Sequence, residues 1–263
     1  MTPPVITTFN IGYMKADIDH WFKLPSDHPN PGQVVEIPML CFHIAHAGRS
    51  VLVDAPAYEF PGEDDQYKIP GKGGVALLMQ MEQAGINPDQ VSDVIITHAH
   101  FDHYNGLSLP DGDGYRLAFP HAQHYLGLGD FNPEEFDDLD ERTFGLLNER
   151  GKLFLVDQPI DIEDSMDIIP IPGETPGHQM LMVATPDGHA YFAGDLYHHP
   201  VEFADPDLNV YWASDHMRMS KGSVAATALE HNASVYFTHI PGPHRVRLDG
   251  EEMVWEVADA NDN

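Results

Sequence analysis

Cysteine is nearly absent: Cys41 is the one thiol in 263 residues. No disulfide can form within the chain, and Cys41, inside the apolar run Met39-Leu40-Cys41-Phe42, reads as a packing thiol rather than a nucleophile. Basic residues are also scarce, 13 Lys and Arg against 42 Asp and Glu, for a formal net charge of -29 at pH 7. Such a surface repels phosphate backbones and anionic membranes, so nucleic acid is excluded as a partner. No stretch approaches the ~20 apolar residues of a membrane span, and Met1 to Ile6 carry neither the basic segment nor the apolar core of an export signal. The expected location is the cytoplasm. No glycine-rich strand-to-helix turn is present, which argues against a doubly wound nucleotide-binding sheet, and no repeat of 20–50 residues is found.

What is present is a chain that is 42% hydrophobic and 21% charged, with 22 Gly and 22 Pro, the composition of a globular protein rich in turns. Its length suits one α/β domain over residues 1–263. Apolar clustering or alternation predicts strands at Val5–Phe9, Val34–Ala45, Ser50–Asp54, Val91–Thr97, Gln123–Tyr125, Leu153–Val156, Asp167–Ile171, Met180–Ala184, Ala190–Ala193 and Ser234–Thr238. Helical spacing predicts helices at Val75–Ala84, Asp130–Arg150 and Lys221–His231. Strands with helices between and outside them predict a layered α/β sandwich. Lys15–Gln33, rich in Pro, Asp and His, reads as a loop: a lid, a dimer contact or a surface excursion.

The chemistry concentrates in Thr97-His98-Ala99-His100-Phe101-Asp102-His103, directly after the predicted strand Val94-Ile95-Ile96. Four ligand-type residues fall within six positions. On a chain leaving a strand, His98 and His100 face one side, and the following turn brings Asp102 and His103 to a second point nearby, an arrangement that suits two adjacent metals. Three later polar residues also stand beside apolar strands: His178 in Gly173-Glu174-Thr175-Pro176-Gly177-His178, Asp195 in Phe192-Ala193-Gly194-Asp195, and His239 after Val235-Tyr236-Phe237-Thr238.

These motifs resemble, in order, the HxHxDH run, TPGH histidine, GD aspartate and final histidine of the metallo-β-lactamase superfamily, over about Ile37 to Pro243. The resemblance implies an αββα sandwich with His98, His100 and His178 on one metal, Asp102, His103 and His239 on the other, and Asp195 bridging both. Because His100 stands where the redox flavodiiron branch has a carboxylate, the resemblance implies hydrolysis. Zn²⁺ suits imidazole with carboxylate, and Mn, Fe or Co also fit the donor set. Two such metals share a water, lower its pKa to about 7 and turn it on a carbonyl or phosphoryl centre. Asp102 then serves chiefly as ligand, while Asp195 also receives a proton as the leaving group departs.

The flanks Asp195-Leu196-Tyr197-His198-His199 and His239-Ile240-Pro241-Gly242-Pro243-His244 are similar to the branch of N-acyl homoserine lactonases and methyl-parathion-type hydrolases. The lactonases have a substrate-contacting tyrosine three positions past the bridging aspartate; here that position is His198, with Tyr197 one residue earlier. His198 and Tyr197 are therefore both candidate catalytic residues, and His244 a candidate for orienting a ligand. Phe101, Tyr104, Tyr197, Phe203 and Trp212, together with Trp21 and Phe22, are candidates for an apolar pocket wall. The expected function is hydrolysis of a lactone or carboxylic ester, an acyl homoserine lactone among them. Organophosphate triester or aryl ester hydrolysis comes next, and thioesterase, β-lactamase or non-catalytic metal-binding roles follow. The expected partners are a small-molecule substrate and, from the resemblance, a second copy in a homodimer.

Overall fold

The computed structural model describes residues 2–24, 33–56, 67–68, 76–163, 165–205 and 207–258. Ten of its strands lie at or around the predicted positions and two seven-stranded sheets collect most of them. The first sheet holds β1 (Val5–Asp17), β2 (Val34–His46), β3 (Arg49–Val53), β4 (Tyr67–Lys68) and β5 (Asp93–Ile95). A separate hairpin is made by β6 (Ser108–Asp111) and β7 (Gly114–Leu117), and β8 (Gln123–Gly127) and β9 (Leu153–Val156) complete the first sheet in the order β4-β1-β2-β3-β5-β8-β9. The second runs in sequence order through β10 (Ile160–Glu163), β11 (Met166–Pro170), β12 (Gln179–Thr185), β13 (Gly188–Phe192), β14 (Ala233–Tyr236), β15 (His244–Asp249) and β16 (Glu252–Val257).

Side-chain alternation along these strands builds the layers, because successive residues of a strand point to opposite faces. Leu40, Phe42 and Ile44 of β2, with Val51 and Val53 of β3, share a buried cluster with Leu181 and Val183 of β12 and Phe192 of β13, so this cluster lies between the sheets. The intervening Cys41 and Leu52 point the other way, into a cluster with Leu77 and Met81 of the helix α2 (Ala76–Gln83) and with Phe144 and Leu147. On the far side of the second sheet, Met180, Tyr191 and Val235 pack against Met217, Val224 and Ala228 of the long C-terminal helix (His216–Glu230). Helix, sheet, sheet, helix is the αββα order expected. Met79 faces outward from α2.

The region read as a loop, Lys15–Gln33, is ordered where it is described. Lys15–Asp17 extend β1, paired with Val34–Glu36, and α1 (Ile18–Phe22) follows, with Asp17 accepting a bond from the His20 amide at its N-terminus. Ile18 and Phe22 are buried beside Met14, Ile37 and Met39, which supplies the apolar contact that overrides the polar local composition. Residues 25–32 lie outside the described set. Two helices differ from prediction in their starts. Asp130–Arg150 begins at α4 (Asp138–Asp140), passes through a π-helical stretch at Glu141–Gly145 and ends in α5 (Leu146–Glu149), and the C-terminal helix starts at His216, five residues before Lys221. No helix among the described residues is long and apolar enough to cross a membrane.

His124 of β8 is wholly buried, and burial pulls its imidazole down to about 4. Its folded pKa lies below the unfolded value of ~6.5, so the neutral form contributes stability that is complete above about pH 6.5 and lost as pH falls towards 4. The window of roughly 2.5 units corresponds to about 3 kcal/mol. Urea unfolding between pH 7 and 4.5 should therefore show the native chain losing stability more steeply than His124→Leu; parallel slopes would show that this imidazole does not titrate with folding.

Candidate metal centre

The chain after β5 turns at His98 and His100 into the short helix α3 (Phe101–Tyr104), which begins directly after His100 and carries Asp102 and His103 in its single turn. His178 immediately precedes β12, Asp195 follows β13 by three residues, and His239 follows β14 by three. The site thus sits where strand ends of both sheets meet. Gly194 makes the approach possible: its φ is +52°, and a Cβ there would lie 2.7 Å from Thr97 Cβ and 2.9 Å from His178 Nε2.

Two groups of ligand-type atoms result, each with all members within 4.8 Å: His98, His100, Glu174 and Asp195, and Asp102, His103 and His239. Asp195 joins them. Its Oδ2 is 3.8 Å from His98 Nε2, 3.3 Å from His103 Nε2 and 3.1 Å from His239 Nε2. Asp102 Oδ2 is 3.4 Å from His239 Nε2 and 3.8 Å from His103 Nε2. His178 lies beside them, its ring centroid 5.1 Å from that of His98, but it is not in either compact group. Glu174, quoted in the sequence motif and given no role there, is the fourth member of the first group.

A second set of residues fixes the rings. Asp54 accepts from the Thr97 amide at 2.8 Å and, through Oδ2, from Thr97 Oγ1 at 2.9 Å and His103 Nδ1 at 2.8 Å, which leaves Nε2 of that ring towards Asp195. His239 Nδ1 donates to the Pro38 carbonyl at 2.8 Å, with the same consequence for its Nε2. Asp130 ties the two ligand-bearing loops together, accepting from the Ala99 amide, Thr175 Oγ1 and the Gly177 amide at 2.9, 2.7 and 2.7 Å. None of these partners was singled out in the sequence, because a lone Asp gives no local sign of burial.

The electrostatics are those of a place that holds positive charge. Burial alone would raise Asp195, but His239 and His103 hold it well below the usual carboxylate range. Burial likewise opposes ionisation of Glu174, which His198 and His100 hold down. Among the imidazoles, burial lowers His178 to about 4, whereas the carboxylates outweigh burial at His239, raised to about 9 mainly by Asp195, and at His103. His103 Nε2, both nitrogens of His178, Glu174 Oε2 and Asp195 Oδ1 are buried without a hydrogen-bond partner. Unpaired buried polar atoms are costly, and donors of nitrogen and carboxylate oxygen gathered in this way fit divalent cations.

A cavity of about 220 Å³ opens onto these residues, with His100, Asp102, Glu174, Asp195, His198 and His239 on its polar side and Met14, Trp21, Phe101 and Trp212 on its apolar side. His198 is buried, with Nε2 3.3 Å from Glu174 Oε1 and 3.4 Å from Asp195 Oδ2. Tyr197 departs from expectation. The turn after Asp195 sends its side chain into the core between the second sheet and its helix, where the hydroxyl accepts from Trp255 Nε1 at 3.2 Å and the ring packs on Phe203 and Phe237. It does not line the cavity, and neither do Phe22, Tyr104 and Phe203. His199 caps the turn at Pro200–Phe203 by accepting from the Val201 amide, and His244 packs on Phe203 and Phe237 away from the ligand atoms.

The family model described as the metallo-beta-lactamase superfamily matches residues 40–229. Solved structures of similar fold include AbOPH, a hydrolase in the beta lactamase superfamily (TM-score 0.78, 18% identity, 98% of this chain and 96% of that one). AidC, a dizinc quorum-quenching lactonase in complex with a hexanoyl homoserine product, has a TM-score of 0.76 at 16% identity, covering 98% and 96% of the two chains. A probable metal-dependent hydrolase from Staphylococcus aureus has a TM-score of 0.77 at 16% identity, covering 99% of both. At these identities the likeness is one of fold.

Proposed function

Since the chain belongs to the metallo-beta-lactamase superfamily and is a metal-dependent hydrolase, we propose that it opens a lactone or carboxylic ester carrying a small apolar group, using two divalent cations. His98, His100 and His178 would hold one, Asp102, His103 and His239 the other, and Asp195 both. The observation that carries the reading is the position of Asp195 Oδ2, within 3.8 Å of nitrogens from His98, His103 and His239. Cations there supply Lewis acidity and an activated water. Zinc is the preferred cation of this reading, in keeping with the dizinc description of AidC.

The chain's own residues do the rest. Asp54 and the Pro38 carbonyl hold the two imidazoles of the second group in one orientation, which limits reorganisation during the reaction. His198 lines the cavity, with Nε2 3.3 Å from Glu174 Oε1 and 3.4 Å from Asp195 Oδ2, so this nitrogen is placed to donate to a substrate oxygen entering there. Trp21 and Trp212, edge to face at 5.4 Å, wall the apolar side and exclude water from it. One folded unit over residues 1–263 is part of the same reading, supported by the cluster that both sheets share.

The same aromatic wall favours a second reading, hydrolysis of an aryl ester or organophosphate triester, whose planar ring would stack on an indole. Purified zinc-loaded protein should be assayed on acyl homoserine lactones of several chain lengths, aryl esters, methyl-parathion-like triesters, a glutathione thioester and a cephalosporin, with a His100→Ala, Asp195→Asn double variant as control. Lactone or carboxylic ester turnover that the variant lacks supports the first reading. Triester turnover without it moves the enzyme to the second, and silence on every substrate in the presence of bound metal overturns both.

A further inference from the structure

We propose that Glu174 is an additional cation ligand, outside the seven residues of the motif, giving the His98 and His100 position a carboxylate of its own beside the shared Asp195. This rests on the reading that the centre holds cations.

The argument is which nitrogen each partner meets. His103 and His239 are anchored through Nδ1, by Asp54 Oδ2 and the Pro38 carbonyl, and His98 Nδ1 lies 3.1 Å from Thr97 Oγ1. Each of these partners takes the nitrogen turned away from the centre and leaves Nε2 facing Asp195. A residue that merely orients a ligand ring binds it in that way. Glu174 does the opposite. Its Oε1 lies 3.3 Å from His100 Nδ1, and that same nitrogen is 2.9 Å from His98 Nε2, so it is the one turned inward. A carboxylate placed at the inward nitrogen is positioned to share its cation rather than to steer the ring.

Two further observations agree. Glu174 is buried, with Oε2 lacking any hydrogen-bond partner, and Oε1 receives the indole N–H of Trp212, a support for a carboxylate held in one rotamer. The ligand-type atoms of His98, His100, Glu174 and Asp195 also lie within 4.8 Å of one another. Glu174 raises the carboxylates of the centre from two to three. Oxygen donors favour harder cations, so the His98 position becomes more receptive to Mn²⁺ relative to Zn²⁺ than its imidazoles with Asp195 alone would be.

Glu174→Gln tests this, keeping the volume and an acceptor for Trp212 while removing the charge. Metal-free full-length protein is titrated with Zn²⁺ and Mn²⁺ against a chromophoric chelator, bound metal is counted by elemental analysis, and the visible absorption of the Co²⁺ form is recorded. The native chain should bind two cations. The variant should lose at least tenfold in affinity at one of them, shift the Zn²⁺ to Mn²⁺ preference at least tenfold towards Zn²⁺, and change the Co²⁺ spectrum. Two cations bound by the native chain, with affinities and spectrum unchanged in the variant, overturn the ligand role of Glu174 and leave the proposed hydrolase standing. A native chain that binds no divalent cation removes both. If circular dichroism shows the variant unfolded, a crystal structure of the native Mn²⁺ form decides, an oxygen of Glu174 about 2.2 Å from an ion supporting the assignment and one beyond about 3 Å refuting it.

Discussion

Asp195→Asn should reduce kcat/KM by far more than 100-fold and lower the cation content of the purified protein, whereas Asp54→Asn should cost only about 10–100-fold. The second figure is the usual effect of removing a residue that orients a metal ligand. Asp54 belongs to that class, since its Oδ2 meets the outward nitrogen of His103 and the hydroxyl of Thr97, not a nitrogen turned towards Asp195. Asp195 Oδ2 instead lies among the inward nitrogens of His98, His103 and His239, so both halves of the centre lose charge when it is neutralised. Elemental analysis and steady-state kinetics on the best substrate of the panel check the ranking, and equal losses for the two variants would contradict it. A chelator should also lower the melting temperature of the native chain more than that of Asp195→Asn, because a ligand bound to the folded state stabilises it by mass action.

Lys221→Met should destabilise the fold by about 3–5 kcal/mol, the range for removing one partner of a buried ion pair. Lys221 is fully buried in α6 (His216–Glu230), with Nζ 2.6 Å from Glu202 Oε2, 2.8 Å from the Leu208 carbonyl and 4.6 Å from the centre of the Tyr197 ring. Removing it strands the carboxylate of Glu202, which burial already opposes and which His198 and Lys221 keep ionised. Often such a loss is recovered by replacing the second partner with an apolar residue, but here the recovery should be incomplete. Glu202 Oε1 also accepts the amides of His198 and His199, at 2.6 and 3.0 Å, and a Lys221→Met, Glu202→Leu double variant leaves those donors unpaired. Each orphaned donor costs on the order of 1–3 kcal/mol. Urea midpoints of the single and double variants measure both statements. A single variant within 1 kcal/mol of the native chain, or a double variant as stable as it, would contradict them.

The residues that converge on the candidate centre were legible because their signal is local: a polar residue closing an apolar strand is visible without knowing what packs on the strand. Glu174 was not. A glutamate in the turn Gly173-Glu174-Thr175-Pro176 ordinarily points to solvent, and only the arrival of Trp212, His100 and His198 from distant segments buries it. Tyr197 was misplaced for the related reason that neighbours in sequence after a turn need not share a direction; His198 enters the cavity while Tyr197 enters the core. The layered α/β sandwich followed from apolar spacing and its αββα order from the resemblance, but α1 did not, since its two buried positions, Ile18 and Phe22, stand in a polar context and gain their contacts from β1 and β2. The hairpin of β15 and β16 was also missed. Its first strand alternates charged and apolar residues from Arg245 to Asp249 before a turn at Gly250, and its many charges hid the period.

The pairing of Trp21 with Trp212 on the cavity wall has an optical consequence. Of the three tryptophans in the chain, two border the cavity and the third, Trp255, packs on Tyr197. The indole of Trp212 is bonded to Glu174, and that of Trp21 meets His198 edge to face at 6.0 Å. Two of the three indoles therefore stand beside the candidate centre, and a molecule entering the cavity should change the emission of this protein.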